Sequence, residues 1–395
     1  MRAVRGIVRI QPHRTVTDAT IAAPESDRAP RAARPVVRSI AVDATRLRRD
    51  LRGIGRYVRA MLPRFAALRP DLSLGLFVRN ADDLTATRTW IAEHPVLRGR
   101  AEAHHARHFA DAAADVHWYP WNVAPALPRR GTVVATVHDI APIVRARFAW
   151  DRWKWTWRFH RTVRAAHMLV ADSAFTAHEV QRVLAVPSER IRVVHLAADA
   201  FPDAGHADDL ARLERLGVRP PFVLSVGATD RRKNMGVLDE AMARVSHHLP
   251  DLLCVQVGPR RRSRMTTGTA SAMRIVGRVD EADLAAAYRC AEALVLTSTY
   301  EGFGLPVVEA MQLGTPVICA KTSSLPEVAG DAAWWIDPTD PASVQAAIEA
   351  VASDPATRAR LREAGLAQAT RFSWDRTAAH TLAAFDDALR ARIAY

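Results

Sequence analysis

Two glutamates, Glu301 and Glu309, stand eight residues apart in the stretch EGFGLPVVE. The first follows an apolar strand, and the second lies about one turn inside a predicted helix, so both carboxylates can reach one bound molecule. The helix N-terminus between them favours an anion. This chemistry suits a ligand with phosphates and hydroxyls, such as a nucleotide sugar. The alternative is that Glu301 is a loop charge and Glu309 only stabilises the helix dipole.

The turn between the two glutamates has the composition of a ligand-binding loop. Gly302 and Gly304 allow the backbone to approach a ligand closely. The amides of Phe303 to Leu305 are then free to bind an anion, because the first N–H groups of a helix have no partner within it. Pro306 suits the start of the predicted helix.

A basic pair, Arg232 and Lys233, follows a second apolar strand in the stretch SVGATDRRKNMG. These two cations can neutralise a diphosphate that departs as its bond to a sugar breaks. The alternative is a solvated basic turn before the helix cap Asn234. The chain has no cluster of side chains with metal-ligand spacing, so we expect neither a metal nor a cofactor.

A lone histidine, His138, ends the buried strand VVATVHD and is followed by Asp139. We expect His138 to face a ligand cleft and Asp139 to cap or orient it, although a packed structural histidine is the alternative. Near the N-terminus, Gly53, Gly55 and Arg56 have the sequence of a plain strand-to-helix turn.

The elements that must position these residues alternate between apolar strands and helices, which is typical of parallel α/β sheets. The pattern starts at residue 38, breaks in a Pro/Asp/Gly-rich stretch and restarts near residue 221. We therefore predict two doubly wound, Rossmann-like domains, at 38–200 and 221–374, joined by a linker at 201–220. Ligands of such sheets bind at the strand C-termini, here in a cleft between the domains. Residues 1–37 are predicted to be a disordered basic leader.

The ordered set of motifs resembles the retaining family 4 glycosyltransferases. The resemblance is carried by EGFGLPVVEAMQLGTPVI, VGATDRRKN, IVGRVDEADLAAAY and GIGRY, and it covers roughly residues 38 to 395. It implies the GT-B fold, in which two Rossmann-like domains face each other across a nucleotide-sugar cleft. It also implies that the last helix, at 375–395, crosses back to the N-terminal domain.

The resemblance implies a role for each matching position. Glu309 would bind the donor ribose, and Glu301 the transferred sugar, together with the amides of Phe303 to Leu305. Arg232 and Lys233 would bind the diphosphate. The remaining positions would lie around the donor: Val276, Gly277 and Val279 near the nucleobase, His138 at the sugar, and Gly53, Gly55 and Arg56 in a closing loop. Where the family often has a further Arg or acid, this chain has Ala228 and Thr229.

By the same resemblance, the chain would be a metal-independent, retaining hexosyltransferase without a protein nucleophile. Its partners would be a nucleotide sugar, with GDP-mannose as the first choice, and a lipid-linked saccharide in surface polysaccharide assembly. We expect a cytoplasmic protein, peripheral on the inner face of the cell membrane. A sugar-nucleotide epimerase on the same fold is the alternative enzyme.

The chain is basic, with a formal net charge of +13 over 395 residues. Such a charge attracts anionic partners, including nucleic acid, anionic lipid and phosphorylated substrates. We do not expect a nucleic-acid-binding scaffold, since it would have no use for the two glutamates. A solvated, arginine-rich surface is the alternative interpretation of the charge.

The stretch 145–164, RARFAWDRWKWTWRFHRTVR, is both aromatic and basic. At 100° per residue it gives two aromatic helix faces, one with Trp150, Trp153 and Trp157 and an opposite one with Phe148, Trp155 and Phe159. One face suffices for packing on the core. We expect the second face, flanked by Arg147, Lys154 and Arg158, to meet an anionic membrane. The alternative is that both faces are buried against a neighbouring helix or subunit.

Overall fold

The computed structural model describes residues 35–48, 53–202, 204–259 and 272–393. The predicted leader at 1–37 lies outside these ranges except for its last three residues. The basic run PRRRSR at 259–264 lies outside them except for its first residue.

The first half of the chain forms one parallel sheet of seven strands, in the order β3-β2-β1-β4-β5-β6-β7. The strands are β1 (Ser39–Asp43), β2 (Ser73–Val78), β3 (Ala101–His105), β4 (Val116–Tyr119), β5 (Thr132–Val137), β6 (Met168–Ala171) and β7 (Ile191–Val193). Every residue of the central strands β4, β5 and β6 is buried. This burial agrees with their apolar sequences, because a parallel sheet is covered by helices on both faces.

Five helices connect these strands. They are α1 (Ile54–Leu68), α2 (Ala81–Glu93), α3 (Ala141–Val144), α4 (Ala149–Ala165) and α5 (Ala174–Leu184). Helix α1 continues through Pro63 to Leu68. The sequence pattern missed α2 and the edge strand β3, since both carry many polar residues on exposed faces. The predicted helix cap is present at Ser173, whose side chain accepts a hydrogen bond from the amide of Thr176.

The second half forms a parallel sheet of six strands, in the order β10-β9-β8-β11-β12-β13. The strands are β8 (Phe222–Val226), β9 (Leu253–Val257), β10 (Met273–Gly277), β11 (Ala293–Leu296), β12 (Val317–Ala320) and β13 (Ala333–Ile336). The helices that follow in the chain are α7 (Met235–Val245), α8 (Glu281–Cys290), α9 (Leu305–Gln312), α10 (Leu325–Ala329), α11 (Pro341–Ser353) and α12 (Pro355–Ala369). The predicted pair of Rossmann-like sheets is therefore confirmed.

Two further helices join the halves. Helix α6 (His206–Arg215) lies in the predicted linker and packs against α8, where the buried Asp209 pairs with Arg289 at 2.6 Å. Helix α13 (Trp374–Ile393) packs against α1 in the first half. Its Asp386 accepts a hydrogen bond from the amide of Val37 at 3.0 Å, and its Phe385 is fully buried.

The two aromatic faces of helix α4 are buried and exposed in the opposite sense to our expectation. Phe159 is fully buried and Trp155 packs partly buried against the same core cluster. The exposed side chains are Trp150, Trp153 and Trp157, together with Phe148 just before the helix. The expectation that Trp155 and Phe159 meet a membrane is therefore wrong, because α4 packs that face against α3, α5 and β5.

Candidate functional site

The turn after β11 places both glutamates in buried positions. Glu301 is 8% exposed, and Glu309, one turn inside α9, is 4% exposed. Gly304 precedes the helix with φ +102°, a conformation that strains any other residue. A Cβ atom there would also lie 2.7 Å from the Leu325 side chain. The glycine therefore allows the sharp entry into α9 that brings the two carboxylates to the same end of the sheet.

Glu301 is paired with the predicted cation Lys233. The Lys233 ammonium donates to Oε1 of Glu301 at 2.7 Å, and the amide of Glu301 donates to the Ser323 hydroxyl at 2.9 Å. Burial alone would raise the pKa of Glu301, but the charge and hydrogen bond of Lys233 outweigh it and hold that pKa below its usual value. Lys233 reaches this position across Gly227, where a Cβ atom would lie 2.7 Å from its side chain.

Arg232 lies in the short 3-10 turn Arg231–Lys233, which Asp230 caps by accepting from the amides of Arg232 and Lys233. Its guanidinium lies 3.3 Å from Asp230 and 3.7 Å from Asp139, which belongs to the first half of the chain. The adjacent Asn234 has φ +53° and does not cap α7 through its side chain; its amide donates to the carbonyl of Pro338 instead. Asn234 therefore occupies the predicted N-cap position of α7 but makes no side-chain capping hydrogen bond.

Glu309 is held by one residue from each half of the chain. Oε1 accepts from Nη1 of Arg56 at 2.5 Å, and Oε2 accepts from the Tyr288 hydroxyl at 2.7 Å. Arg56 also donates from Nε to Asp199 at 2.5 Å. Burial alone would lower the pKa of Arg56, but Glu309 and Asp199 raise it above its ordinary value. The guanidinium thus bridges two carboxylates as a permanent cation.

The glycine turn at 53–56 takes the form of a helix start. Gly53 precedes α1, while Gly55 and Arg56 lie in its first turn. Arg56 therefore lies against Glu309. The two glycines lie at the beginning of the same helix.

His138 lies in a polar pocket of the first half. Its Nδ1 is 2.6 Å from Oδ2 of Asp172, and its Nε2 is 3.0 Å from the carbonyl oxygen of Pro120. Burial alone would lower the pKa of His138, but the Asp172 carboxylate outweighs it and raises that pKa. Both ring nitrogens face acceptors, so the imidazolium satisfies them both by donating twice. The edge of the Tyr57 ring packs on the imidazole at 5.2 Å between centroids.

The two halves touch at Gly302. A Cβ atom on Gly302 would lie 1.9 Å from the carbonyl oxygen of His138. The Gly302 carbonyl accepts from the hydroxyls of Ser173 at 2.6 Å and Thr176 at 3.0 Å. This glycine therefore permits the backbones of the two facing loops to meet.

The three residues predicted near the nucleobase lie at the edge of the second sheet. Val276 and Gly277 end β10, and Val279 follows it. Gly277 has φ +84°, and its carbonyl accepts from the amide of Gly258 at 2.7 Å. Both valines pack partly buried against the core.

Several residues of the site were missed in the sequence. Asp172 follows β6, the neighbour of the strand that carries His138, and its strand-end position was the available signal. Tyr288 and Asp199 gave no such signal, because one lies within α8 and the other in an irregular segment. Among the described residues, no three His, Cys, Asp or Glu side chains group as a metal site would require.

Comparison with known proteins places the chain in a family. Residues 211–368 match the family described as "Glycosyl transferases group 1". The chain is 30% identical over 365 residues to the O-antigen chain mannosyltransferase B of Escherichia coli, covering 85% of this chain and 96% of the relative. It is 29% identical over 287 residues to the MMP alpha-(1->4)-mannosyltransferase of Mycolicibacterium hassiacum, covering 66% of each. A solved glycosyltransferase from Rickettsia africae superposes with a TM-score of 0.68 at 14% identity, covering 89% of this chain and 98% of that one.

Proposed function

The chain belongs to the glycosyl transferases group 1 family, with the GT-B fold, and from this premise we propose that it transfers mannose from GDP-mannose. The acceptor would be a lipid-linked saccharide at the inner face of the cell membrane, and the configuration at the sugar would be retained. The names of the two mannosyltransferase relatives support mannose as the sugar.

The observation that carries the proposal is the pair of ion pairs at the start of α9, Lys233 with Glu301 and Arg56 with Glu309. A nucleotide sugar presents anionic phosphates to the cations and hydroxyls to the carboxylates. Each carboxylate can therefore accept from sugar hydroxyls while its cation turns to phosphate, and the buried site excludes competing water.

In this proposal Glu309 accepts from the ribose hydroxyls and Glu301 from hydroxyls of the mannose. Arg232 and Lys233 bind the diphosphate and stabilise the charge that develops on it, and so no metal is needed. The acceptor oxygen bonds to the anomeric carbon as the bond from that carbon to the diphosphate oxygen breaks. The proton of the acceptor hydroxyl passes to the departing phosphate on the same face, which gives retention without a protein nucleophile.

The first experiment is a thermal-shift panel of nucleoside diphosphates and nucleotide sugars on the wild type, Glu309→Ala and the surface control Glu349→Ala. A ligand at a hundred times its Kd stabilises the native state by about 2.7 kcal/mol. We expect GDP and GDP-mannose to raise the Tm of the wild type and of Glu349→Ala, and the shift to be lost in Glu309→Ala. A panel in which no nucleotide shifts the wild type would overturn the proposal.

The reaction itself is then followed with GDP-mannose and a water-soluble mannoside, with the product analysed by NMR. An α-linked mannoside confirms retention. Conversion of the donor to another nucleotide sugar without transfer would show an epimerase instead.

A further inference from the structure

Four aromatic side chains at α4 are exposed, and two of them have an arginine over the ring, Arg161 at Trp157 and Arg147 at Phe148. Trp150, Trp153, Trp157 and Phe148 are 66%, 58%, 55% and 59% exposed, and the rings of Trp150 and Trp153 stack on each other at 5.0 Å. Single exposed apolar residues are common on proteins, but a contiguous group of this size marks an interaction surface. We call Trp150, Trp153 and Trp157 the aromatic face.

We propose that the aromatic face inserts into the interfacial region of an anionic phospholipid bilayer and docks the protein there. Tryptophan is the side chain that favours this region, because its ring is apolar and its N–H group can remain in contact with water and headgroups. The proposal that this surface binds a bilayer is argued from the exposed side chains of α4. Its further role, which is to bring the cleft to a lipid-linked acceptor, rests on the proposed function.

The charges around the aromatic face fit such a surface. Helix α4 carries five Lys or Arg residues and a single Asp. Lys154 and Arg164 are exposed and lie on the same side of the helix as the three tryptophans, at 100° per residue. Basic side chains beside buried aromatics attract anionic headgroups while their alkyl stems lie along the apolar layer.

The same charges disfavour a second copy of this chain as the occupant. In a twofold dimer the aromatic face would meet itself, so that the basic residues of the two α4 helices would face each other. An anionic bilayer instead neutralises these charges.

The aromatic face also lies close to the junction of the two halves. Arg145, four residues before α4, donates to the carbonyl of Thr299 at 2.6 Å and stacks over the Tyr300 ring. Glu301 follows directly after these two residues. A bilayer beneath the start of α4 would therefore lie beside the cleft mouth, where a lipid-linked acceptor has to enter.

The test is co-sedimentation of the full chain with vesicles of phosphatidylcholine alone, or with about 30% phosphatidylglycerol. The variant is Trp150→Ser/Trp153→Ser/Trp157→Ser, and the matched control is Leu68→Ser/Leu210→Ser/Leu366→Ser, which removes three exposed leucines elsewhere. We expect the wild type and the leucine control to bind the anionic vesicles. The tryptophan variant should bind them at least about tenfold more weakly.

Equal binding by the tryptophan variant, or no binding by the wild type, would overturn the proposal. Sedimentation velocity adds one further outcome: a wild-type dimer that the tryptophan variant dissolves would show that the aromatic face joins two copies. Transfer to a water-soluble acceptor separates this inference from the enzymatic one, because the tryptophan variant should keep that activity.

Discussion

The two halves of the chain contribute to the site in different ways. In the second half, Lys233 follows β8 and Glu301 follows β11, and these two strands are hydrogen-bonded neighbours. In the first half, Arg56 comes from the first turn of a helix, and the residues that it joins, Asp199 and Glu309, are 143 and 253 positions away in the chain. The second half holds Lys233 and Glu301 on adjacent strand ends, whereas the first half extends the Arg56 guanidinium to Glu309 and the Asp139 carboxylate toward Arg232.

The residues of the site therefore fall into two groups. One group makes its contacts within the second half, and the other makes contacts between the two halves. The pair Lys233 and Glu301 is formed by two residues of the second half. The contact of Arg56 with Glu309, like that of Gly302 with His138, exists only while the two halves are together. Substitutions in the two groups should therefore have different effects.

The largest effect is expected within the second half, for Lys233→Met. Removing the ammonium takes away charge that would stabilise the departing diphosphate, so kcat should fall by about 10²–10³-fold. Steady-state kinetics of mannose transfer would measure this. Arg244→Met removes a surface cation from the same half and serves as the control. Turnover by Lys233→Met within about threefold of the wild type would show that Lys233 does not act on the leaving group.

A smaller effect is expected at the junction, for Gly302→Ala. The new methyl group would collide with the His138 carbonyl oxygen, so the loops must separate and reacting groups from opposite halves no longer align. We expect kcat to fall by about 10–100-fold, because displacements of this order misplace the reactants. The Tm shift on binding GDP should remain, since the proposed nucleotide contacts lie mainly in the second half. The control is Gly236→Ala, in a helix where a Cβ atom meets nothing within 4 Å.

If Gly302→Ala lost both its activity and the Tm shift induced by GDP, the proposal that the two halves contribute differently would be contradicted. Wild-type kinetics in Gly302→Ala would show that the contact is not needed for turnover.

The smallest effect is expected in the first half, where the free energy of unfolding should depend on pH through His138 and Asp172. Asp172 raises the pKa of His138 above its ordinary value of 6.5, even though burial alone would lower it. The pair stabilises the fold below pH 6.5 as long as Asp172 is ionised, and this stabilisation is lost as the pH rises through the raised pKa of His138. The free energy of unfolding should therefore fall from wild type to Asp172→Asn by more at about pH 6 than at about pH 9.

Denaturant unfolding at the two pH values measures this difference. A gap between wild type and Asp172→Asn that is the same at both would mean that His138 is neutral throughout. Glu349→Gln, which alters an exposed His–Glu pair, controls for general effects of pH.

The sequence predicted the fold and the second half of the site better than the first half, for a physical reason. Apolar strands that alternate with helices specify a parallel sheet, and a strand, a glycine turn and a helix start place Glu301 and Glu309 by local geometry alone. The partners of Arg56 and His138 depend on how distant elements pack, and no spacing in the chain encodes that. Helix α4 shows the same limit: its period gave two aromatic faces, but its neighbours decide which one is buried.

Helix α13 has a consequence for how the protein is made. Phe385 fills the core of the first half, with its ring 5.7 Å from Phe65 and 5.6 Å from Trp118, and Asp386 pairs with Arg69. A ribosome synthesises that half first, yet the last piece of its core emerges only after the whole second half. The half that leaves the ribosome first is therefore the last to be completed, and a chain stopped before residue 374 would leave its apolar surface open to chaperones and proteases.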